Sequence, residues 1–469
     1  MRPFEIILIL FTILAFLILA FSRNIKNSRL TWIFPALLLV AVIQVACEGF
    51  RWQMIPGYSI AGVFVLIWFF KMIRKTGTLG QNHPKRFLFA AGIFCIFISV
   101  VLPIIMPVFK LPDPSGPYKI GTMTCFWTDS SRPELFTADP DDKRKLMVQI
   151  WYPSDGSKSS PVAPYVQNAG ELAPLAELLR LPGFMLDHLQ YIATNAVVSA
   201  SASGKEERYP VLIFSHGRGG YRQENTSLIE ELVSYGYIVA SIDHSYAACG
   251  VEFPDGSVAP FDKRMWDRGF VDSMIPYLAQ DAVFTLNKLT EINQNDPNGI
   301  LTGKLNLQQA GIAGLSLGGE ISAEACQSDK RFQACLIMDT WMPKDVLQQG
   351  LKKPAMWISR DEQSMKLEGW TEAAIVETQT SMQAAYENLP DDGYIVRAKG
   401  MFHQDFSDAP LLSPITPLLG ITGPIGKERA RAITSAYTLA FFDRYLKGRQ
   451  NGLLSGPSSQ YPEVLFEKH

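Results

Sequence analysis

Cysteine is scarce in this chain, with 6 in 469 residues. Cys47 and Cys95 lie in apolar runs, and Cys125, Cys249, Cys326 and Cys335 have neither metal-site spacing nor the density of a disulfide framework. The patterns H-E-x-x-H and G-x-x-x-x-G-K-[ST] are both absent, so neither a zinc hydrolase nor a P-loop nucleotidase is supported. No metal or other cofactor is implied. Charge of neither sign predominates: 43 basic and 45 acidic residues leave a net charge of −2, with no basic surface to suggest nucleic acid. Internal repeats and low-complexity tracts are missing, and no obligate protein partner is evident.

Charge is also missing locally. Four runs, 6–22, 30–47, 52–70 and 87–109, carry no Asp, Glu, Lys or Arg. Each approaches the length needed to cross a hydrocarbon core of ~30 Å at about 1.5 Å per residue. A cleavable signal peptide accounts only for the first and lacks the expected charged start and cleavage site. The runs therefore predict a membrane domain of four transmembrane helices over 1–110, followed by a second domain over 111–469. Mean hydropathy over the whole chain, +0.07, conceals this composite. Arg23, Lys26 and Arg29 follow the first run, and Lys71, Arg74, Lys75, Lys85 and Arg86 follow the third. Only Arg51 separates the second from the third, and only Arg2 precedes the first. Positive loops stay inside, so a multi-pass protein of the cell membrane is expected, its larger domain extracytoplasmic.

Beyond Pro112-Asp113-Pro114-Ser115-Gly116-Pro117, a stiff linker, strands are expected near 118–127 and 146–152. Later, the buried strand pattern 307–313 runs into Gly314-Leu315-Ser316-Leu317-Gly318 and a helix-opening segment. This reads as a nucleophile elbow, in which a sharp strand-to-helix turn lifts the Ser316 hydroxyl out of the sheet. A serine needs a base and a group to orient it. Three short strands follow, ending in Asp339, in Asp361, and, through Gly400-Met401-Phe402, in His403. The fold class is α/β, an α/β-hydrolase with a mostly parallel sheet, whose active sites form at the carboxyl ends of the strands.

Only 6 histidines compete for the role of base. His83 falls in a basic loop, and His469 ends the chain. His188 reads as a partly exposed helix residue, and His244 as a structural imidazole bonded near Asp243. His403 follows the nucleophile and both candidate acids, just past a strand end, and is the base by position. Either Asp339 or Asp361 could be the acid. The strand 209–214 ends in Ser215-His216-Gly217-Arg218-Gly219-Gly220, which resembles the HGGG-type loop that supplies one oxyanion N–H. The residue after the nucleophile, Leu317, supplies the other. A dinucleotide loop would need glycine where Arg222 stands. Residues 172–186 are rich in leucine and form either a helix packed on the sheet or a lid over the acyl chain.

Together, Phe214–Gly220, Gly314–Gly319, Asp339–Met342, His403–Asp408 and the strand Arg144–Pro153 resemble the platelet-activating-factor acetylhydrolases of the plasma, lipoprotein-associated phospholipase type, especially bacterial relatives. The resemblance spans about residues 117–448. It implies that the acid ends the strand after the nucleophile, 23 residues on, and 339 − 316 = 23 favours Asp339. It implies oxyanion donation by the N–H groups of Arg218 and Leu317, although an apolar residue is expected where Arg218 stands. The implied function is a membrane-anchored serine carboxylic-ester hydrolase acting on phospholipids with short or oxidised acyl chains. A general carboxylesterase, a polyester hydrolase, or a non-catalytic membrane sensor with a degenerate hydrolase domain are the other readings.

Overall fold

The computed structural model describes residues 1–21, 29–73, 85–156, 160–390 and 392–469. These form two units. One comprises Met1–Phe109 with the short segments Asp187–Ile192 and Leu412–Ile415, and the other takes Lys110–Leu186, Ala193–Leu411 and Thr416–His469.

Each apolar run of the first unit forms a helix: α1 Pro3–Phe21, α2 Ile33–Glu48, α3 Ile55–Ile73 and α4 Lys85–Ile105. The helices enclose a small core that includes Leu8, Phe16, Phe34 and Phe64. They leave many large apolar side chains exposed, among them Leu10, Leu39, Leu66 and Phe94. Four full spans were expected, but among the described residues two segments, Pro3–Phe21 and Trp52–Phe70, are long and apolar enough to cross a membrane. The helix Ile33–Glu48 has 16 residues, roughly 24 Å at 1.5 Å each, and the apolar part of α4, Phe89–Ile105, is also short. Arg51, the only basic residue between the second and third runs, is buried and ion-paired to Glu5 at 2.6 Å. The basic residues Arg23, Lys26, Arg74 and Lys75 lie outside the described residues, as does His83.

Among the described residues, thirteen strands arise in the second unit. The amino-terminal group is β1 Lys119–Pro133, β2 Lys143–Ser154, β3 Val162–Pro164 and β4 Ala193–Val198. The central group is β5 Tyr209–Ser215, β6 Ile238–Asp243, the small hairpin β7 Gly250–Glu252 and β8 Val258–Pro260, and β9 Leu305–Leu315. The last group is β10 Phe332–Met338, β11 Ala355–Arg360, β12 Gly393–Ala398 and β13 Val464–Lys468. All but the hairpin join one sheet in the order β13-β12-β11-β10-β9-β5-β6-β2-β1-β4-β3. From β12 to β6 neighbouring strands are parallel, while β2 runs antiparallel to both β6 and β1, and β13 antiparallel to β12. This is the expected mostly parallel α/β sheet.

Among the described residues nine α-helices accompany the strands: α5 Ala173–Leu178, α6 Thr226–Ser234, α7 Arg268–Gln294, α8 Leu317–Ser328, α9 Lys344–Gln349, α10 Glu362–Glu368, α11 Glu372–Glu387, α12 Ala409–Leu412 and α13 Lys427–Lys447. Alternate residues of each central strand face opposite ways, so the unbroken apolar runs feed two cores. Val211 and Ile213 of β5 pack with α7 and α11, whereas Leu212 and Phe214 pack with α6 and α13. The register does more than close these cores. Ser215 pairs with Gly314, Leu315 with Met338, and Met338 with Ile358. The carboxyl ends of β5, β9, β10 and β11 are thus level, and the residues that follow them share one edge of the sheet.

Three local readings are corrected here. The helix expected at 222–235 spans only Thr226–Ser234, because Arg222 is used to tie the preceding loop. The leucine-rich stretch 172–186 is not one helix but the short α5 followed by a 3-10 segment, Gly183–Tyr191. His188, in that segment, is buried, with 2% of its surface exposed.

Candidate active site

Ser316 sits between β9 and α8 with φ +55° and ψ −124°. Side chains rarely adopt this conformation, which costs of order 1–3 kcal/mol and persists only where surrounding structure over-determines it. Here the Ser316 N–H donates to Met338 O at 2.8 Å, and its carbonyl accepts the first N–H bonds of α8, from Gly319 and Glu320. Glycine is required on both sides. A Cβ at Gly314 would lie 2.0 Å from Gly318 O, and one at Gly318 would lie 2.0 Å from Ser215 O. The turn is therefore packed backbone on backbone. Ser316 is half-buried while its immediate neighbours are fully buried.

Asp339 follows β10, also in the left-handed region at φ +48°, a conformation that aspartate tolerates better than most residues. Its buried carboxylate accepts from four donors. Ser359 Oγ donates at 2.9 Å, the Arg360 N–H at 3.2 Å and Arg360 Nε at 3.0 Å, all to Oδ1, and His403 Nδ1 donates to Oδ2 at 2.5 Å. Burial would raise this carboxyl. The Arg360 charge and the His403 hydrogen bond outweigh it and hold the group well below the usual range.

Arg360 is itself fully buried and also pairs with Glu368, which accepts the His403 backbone N–H at 3.2 Å. Trp370 covers the pair, with Arg360 Cζ 4.2 Å from its ring centroid and the His403 ring 6.0 Å away. Arg360, Glu368 and Trp370 were not singled out from the sequence. The signal present, Arg360-Asp361 at a strand end, had been read for its aspartate. Asp361 instead caps α10, accepting from the Ser364 N–H at 3.1 Å.

The loop after β5 is held peptide by peptide. The His244 N–H donates to His216 Nε2 at 3.1 Å, so His216 carries its proton on Nδ1 and donates to Gly217 O at 2.6 Å. Burial first, and then the nearby His244, push the His216 pKa down to about 4 and keep the ring neutral. Gly220 N–H reaches the same carbonyl at 2.9 Å. In a trans peptide the N–H opposes the C=O, so fixing Gly217 O also fixes the direction of the Arg218 N–H. That N–H and the Leu317 N–H donate to no other group among the described residues. The Gly217 N–H goes to Glu224 Oε1 at 2.5 Å, and a Cβ at Gly217 would lie 3.5 Å from Ser316 Cβ. The loop backbone therefore runs directly alongside the serine.

A second Ser-His-Asp array lies deeper. His244 Nδ1 meets Asp281 at 2.9 Å and His244 Nε2 meets Ser215 Oγ at 3.0 Å. All three are fully buried, with Arg144 and Arg132 on Asp281 at 2.6 and 2.8 Å. No ester can enter it. The array joins the ends of β5 and β6 to α7. The partner of His244 is thus Asp281, not Asp243 as expected, because Asp243 is occupied by Arg222 through both backbone and guanidinium.

Comparison with known proteins bears on this edge of the sheet. Residues 104–262 and 288–454 match the family of platelet-activating factor acetylhydrolase, isoform II. A probable 1-alkyl-2-acetylglycerophosphocholine esterase of Arthroderma benhamiae is 24% identical over 404 residues, covering 80% of this chain and 98% of the relative. Platelet-activating factor acetylhydrolase of Cavia porcellus is 24% identical over 367 residues, 72% of this chain and 78% of the relative. Among solved structures, ferulic acid esterase of Streptomyces cinnamoneus superposes with a TM-score of 0.64 at 29% identity, covering 77% of this chain and 99% of that one.

Proposed function

Because this chain belongs to the platelet-activating factor acetylhydrolase family and is a serine hydrolase of carboxylic esters, we propose that it is membrane-anchored and works through Ser316, His403 and Asp339. The observation that carries the reading is a strained, half-exposed Ser316 on the same sheet edge as a histidine gripped by a buried carboxylate. Ser316 Oγ attacks the acyl carbonyl and passes its proton to His403 Nε2. Asp339 holds the Nδ1 proton and stabilises the imidazolium. The oxyanion accepts from the Arg218 and Leu317 N–H groups, each of the kind worth roughly 10²–10³ in turnover. Collapse expels the alcohol, which takes the proton from His403. Water then cleaves the acyl-enzyme by the same route.

The substrates we assign are phospholipids with short or oxidised acyl chains; the short-chain part is supported by the relative described as a 1-alkyl-2-acetylglycerophosphocholine esterase. A panel of phospholipids differing only in acyl length, presented to the detergent-solubilised chain, tests this. Equal rates for acetyl and long-chain lipids overturn it. Likeness to a ferulic acid esterase favours a second reading, a general carboxylesterase. Aryl esters turned over much faster than every lipid would support that instead.

Residues 1–110 are read as the membrane anchor, with 111–469 outside the cytoplasmic membrane. The apolar exterior of the helices and the lysine and arginine bias support this. Protease added to intact cells or spheroplasts then cuts after Lys110, and protection until lysis would reverse the orientation. The fragment from Lys110 onward, which contains both sheet cores, is expected to be soluble and active without the anchor. Aggregation of that fragment in every host and solvent tried would show that the anchor contributes to folding.

A further inference from the structure

Five arginines are buried, and each meets a carboxylate: Arg51 with Glu5, Arg132 and Arg144 with Asp281, Arg222 with Glu171, and Arg360 with Asp339, all within 2.9 Å. That pattern is what desolvation of a guanidinium demands. Arg218 departs from it. It is half-buried, its Nε is enclosed without a hydrogen-bond partner, and its guanidinium forms no hydrogen bond or ion pair among the described residues. An aromatic ring lies near it: Cζ is 5.9 Å from the Trp266 centroid.

The charges around it do not supply a partner. Arg268 is engaged by Glu377 at 2.6 Å and by Asp272 at 3.2 Å, and Asp272 also meets Lys344 at 3.4 Å. Glu320 is the other carboxyl nearby. Burial pushes it up to about 8, against a hydrogen bond from Thr340 at 3.0 Å and the charges of Arg218 and Arg268, and it forms no ion pair with either arginine among the described residues. Arg218 follows Gly217, whose backbone adjoins the serine, so its guanidinium is carried on the loop next to Ser316. The surroundings are otherwise apolar. Gly219 abuts Leu178 of α5 and Phe261, and Phe261 packs on Trp266 at 5.1 Å between centroids.

We infer that the Arg218 side chain forms a subsite for an anionic oxygen group, carboxylate or phosphate, carried by the ester substrate. The apolar wall receives the hydrocarbon next to that anion, so the preferred substrates are amphiphilic. Guanidinium recognises both anions through paired N–H donors, and it can stack on an aromatic face while doing so. This inference rests on the Ser316 reading and deepens it.

Two matched pairs of esters test it with the full chain in detergent. Mono-4-nitrophenyl adipate against its methyl ester puts a carboxylate on the acyl side. Butyryloxyethyl phosphate against its dimethyl ester puts a phosphate on the alcohol side. The wild type should favour the anionic member of at least one pair, and the pair that responds identifies the source of the anion. Whatever Arg218→Met does to the neutral esters, the anionic-to-neutral ratio of kcat/KM in that pair should fall about tenfold, chiefly through KM. Arg218→Lys should recover part of it, and rising ionic strength should erode the wild-type preference. If Arg218→Met does not fold, the lysine variant and the salt dependence decide. A wild type that prefers the neutral ester in both pairs, or ratios unmoved by substitution and salt, overturns the subsite alone. Absence of Ser316-dependent hydrolysis of all four esters overturns the function as well.

Discussion

Ser316→Ala is expected to lower ester hydrolysis by about 10⁴–10⁶-fold and to abolish labelling by a serine-directed fluorophosphonate, with the fold unchanged. The fold should persist because alanine keeps the same Cβ. The backbone at φ +55° is then no more strained than with serine, and the Met338 and Gly319 hydrogen bonds that hold it are made by main-chain atoms. Circular dichroism and the melting temperature check that half of the expectation. What is lost is the atom to which the acyl-enzyme is assigned. Any residual rate would come from binding and from the oxyanion donors, which act on attack by water as well. Retained turnover or retained labelling in the purified variant would place the nucleophile elsewhere.

Asp339→Asn should cost about 10⁴ in turnover, whereas Asp361→Asn should be nearly silent. An amide at 339 can offer oxygen to Arg360 or to His403 but not to both in the present geometry, so an N–H faces one donor or the other. If His403 loses its acceptor, it also loses the tautomer that leaves Nε2 free to take a proton. The same change removes a negative charge from a fully buried guanidinium, leaving Glu368 as its remaining carboxylate. Breaking a buried pair of this kind costs about 3–5 kcal/mol, so a lower melting temperature should accompany the lost activity. Asn at 361 is a different matter. It caps a helix as well as aspartate does, and a deficit of a few tenths of a kcal/mol is all that is expected. Because the Asp339 carboxyl is held well below its usual range, loss of activity on mild acidification is not its titration. A crippled Asp361→Asn beside a normal Asp339→Asn would show that the orienting group has been misassigned.

Much of the sheet could be read from local pattern. The strands now spanning Phe332–Met338, Ala355–Arg360 and Gly393–Ala398 are short continuous apolar runs that stop abruptly, because a strand buried on both faces has no polar alternation to obscure its ends. The long helix Lys427–Lys447 was legible for the complementary reason, apolar residues at helical spacing. The leucine-rich stretch at 172–186 misled, since proline and glycine at 174, 182 and 183 interrupt a helix that composition alone suggests. Membrane length misled as well. An uncharged run marks where a span could be, but capping and turn residues decide how much of it is helix, as the 16 residues of Ile33–Glu48 show.

By itself the sequence determined the α/β order of elements, the G-x-S-x-G turn, and the fact that Ser316, two aspartates and His403 each end or follow a strand. These are properties of neighbouring residues, set by side-chain period and by glycine at a turn. Only the tertiary structure decided which carboxylate meets His403, because Asp339 and Asp361 differ in what lies across the strand gap: Ser359, Arg360 and His403 for one, the start of its own helix for the other. It also decided that His244 belongs to Asp281, 37 residues away, and that Arg222 rather than His244 takes Asp243. Partners of buried charges are chosen by packing across the sheet, where desolvation penalises every unpaired group, and that choice leaves no periodicity in the chain to read.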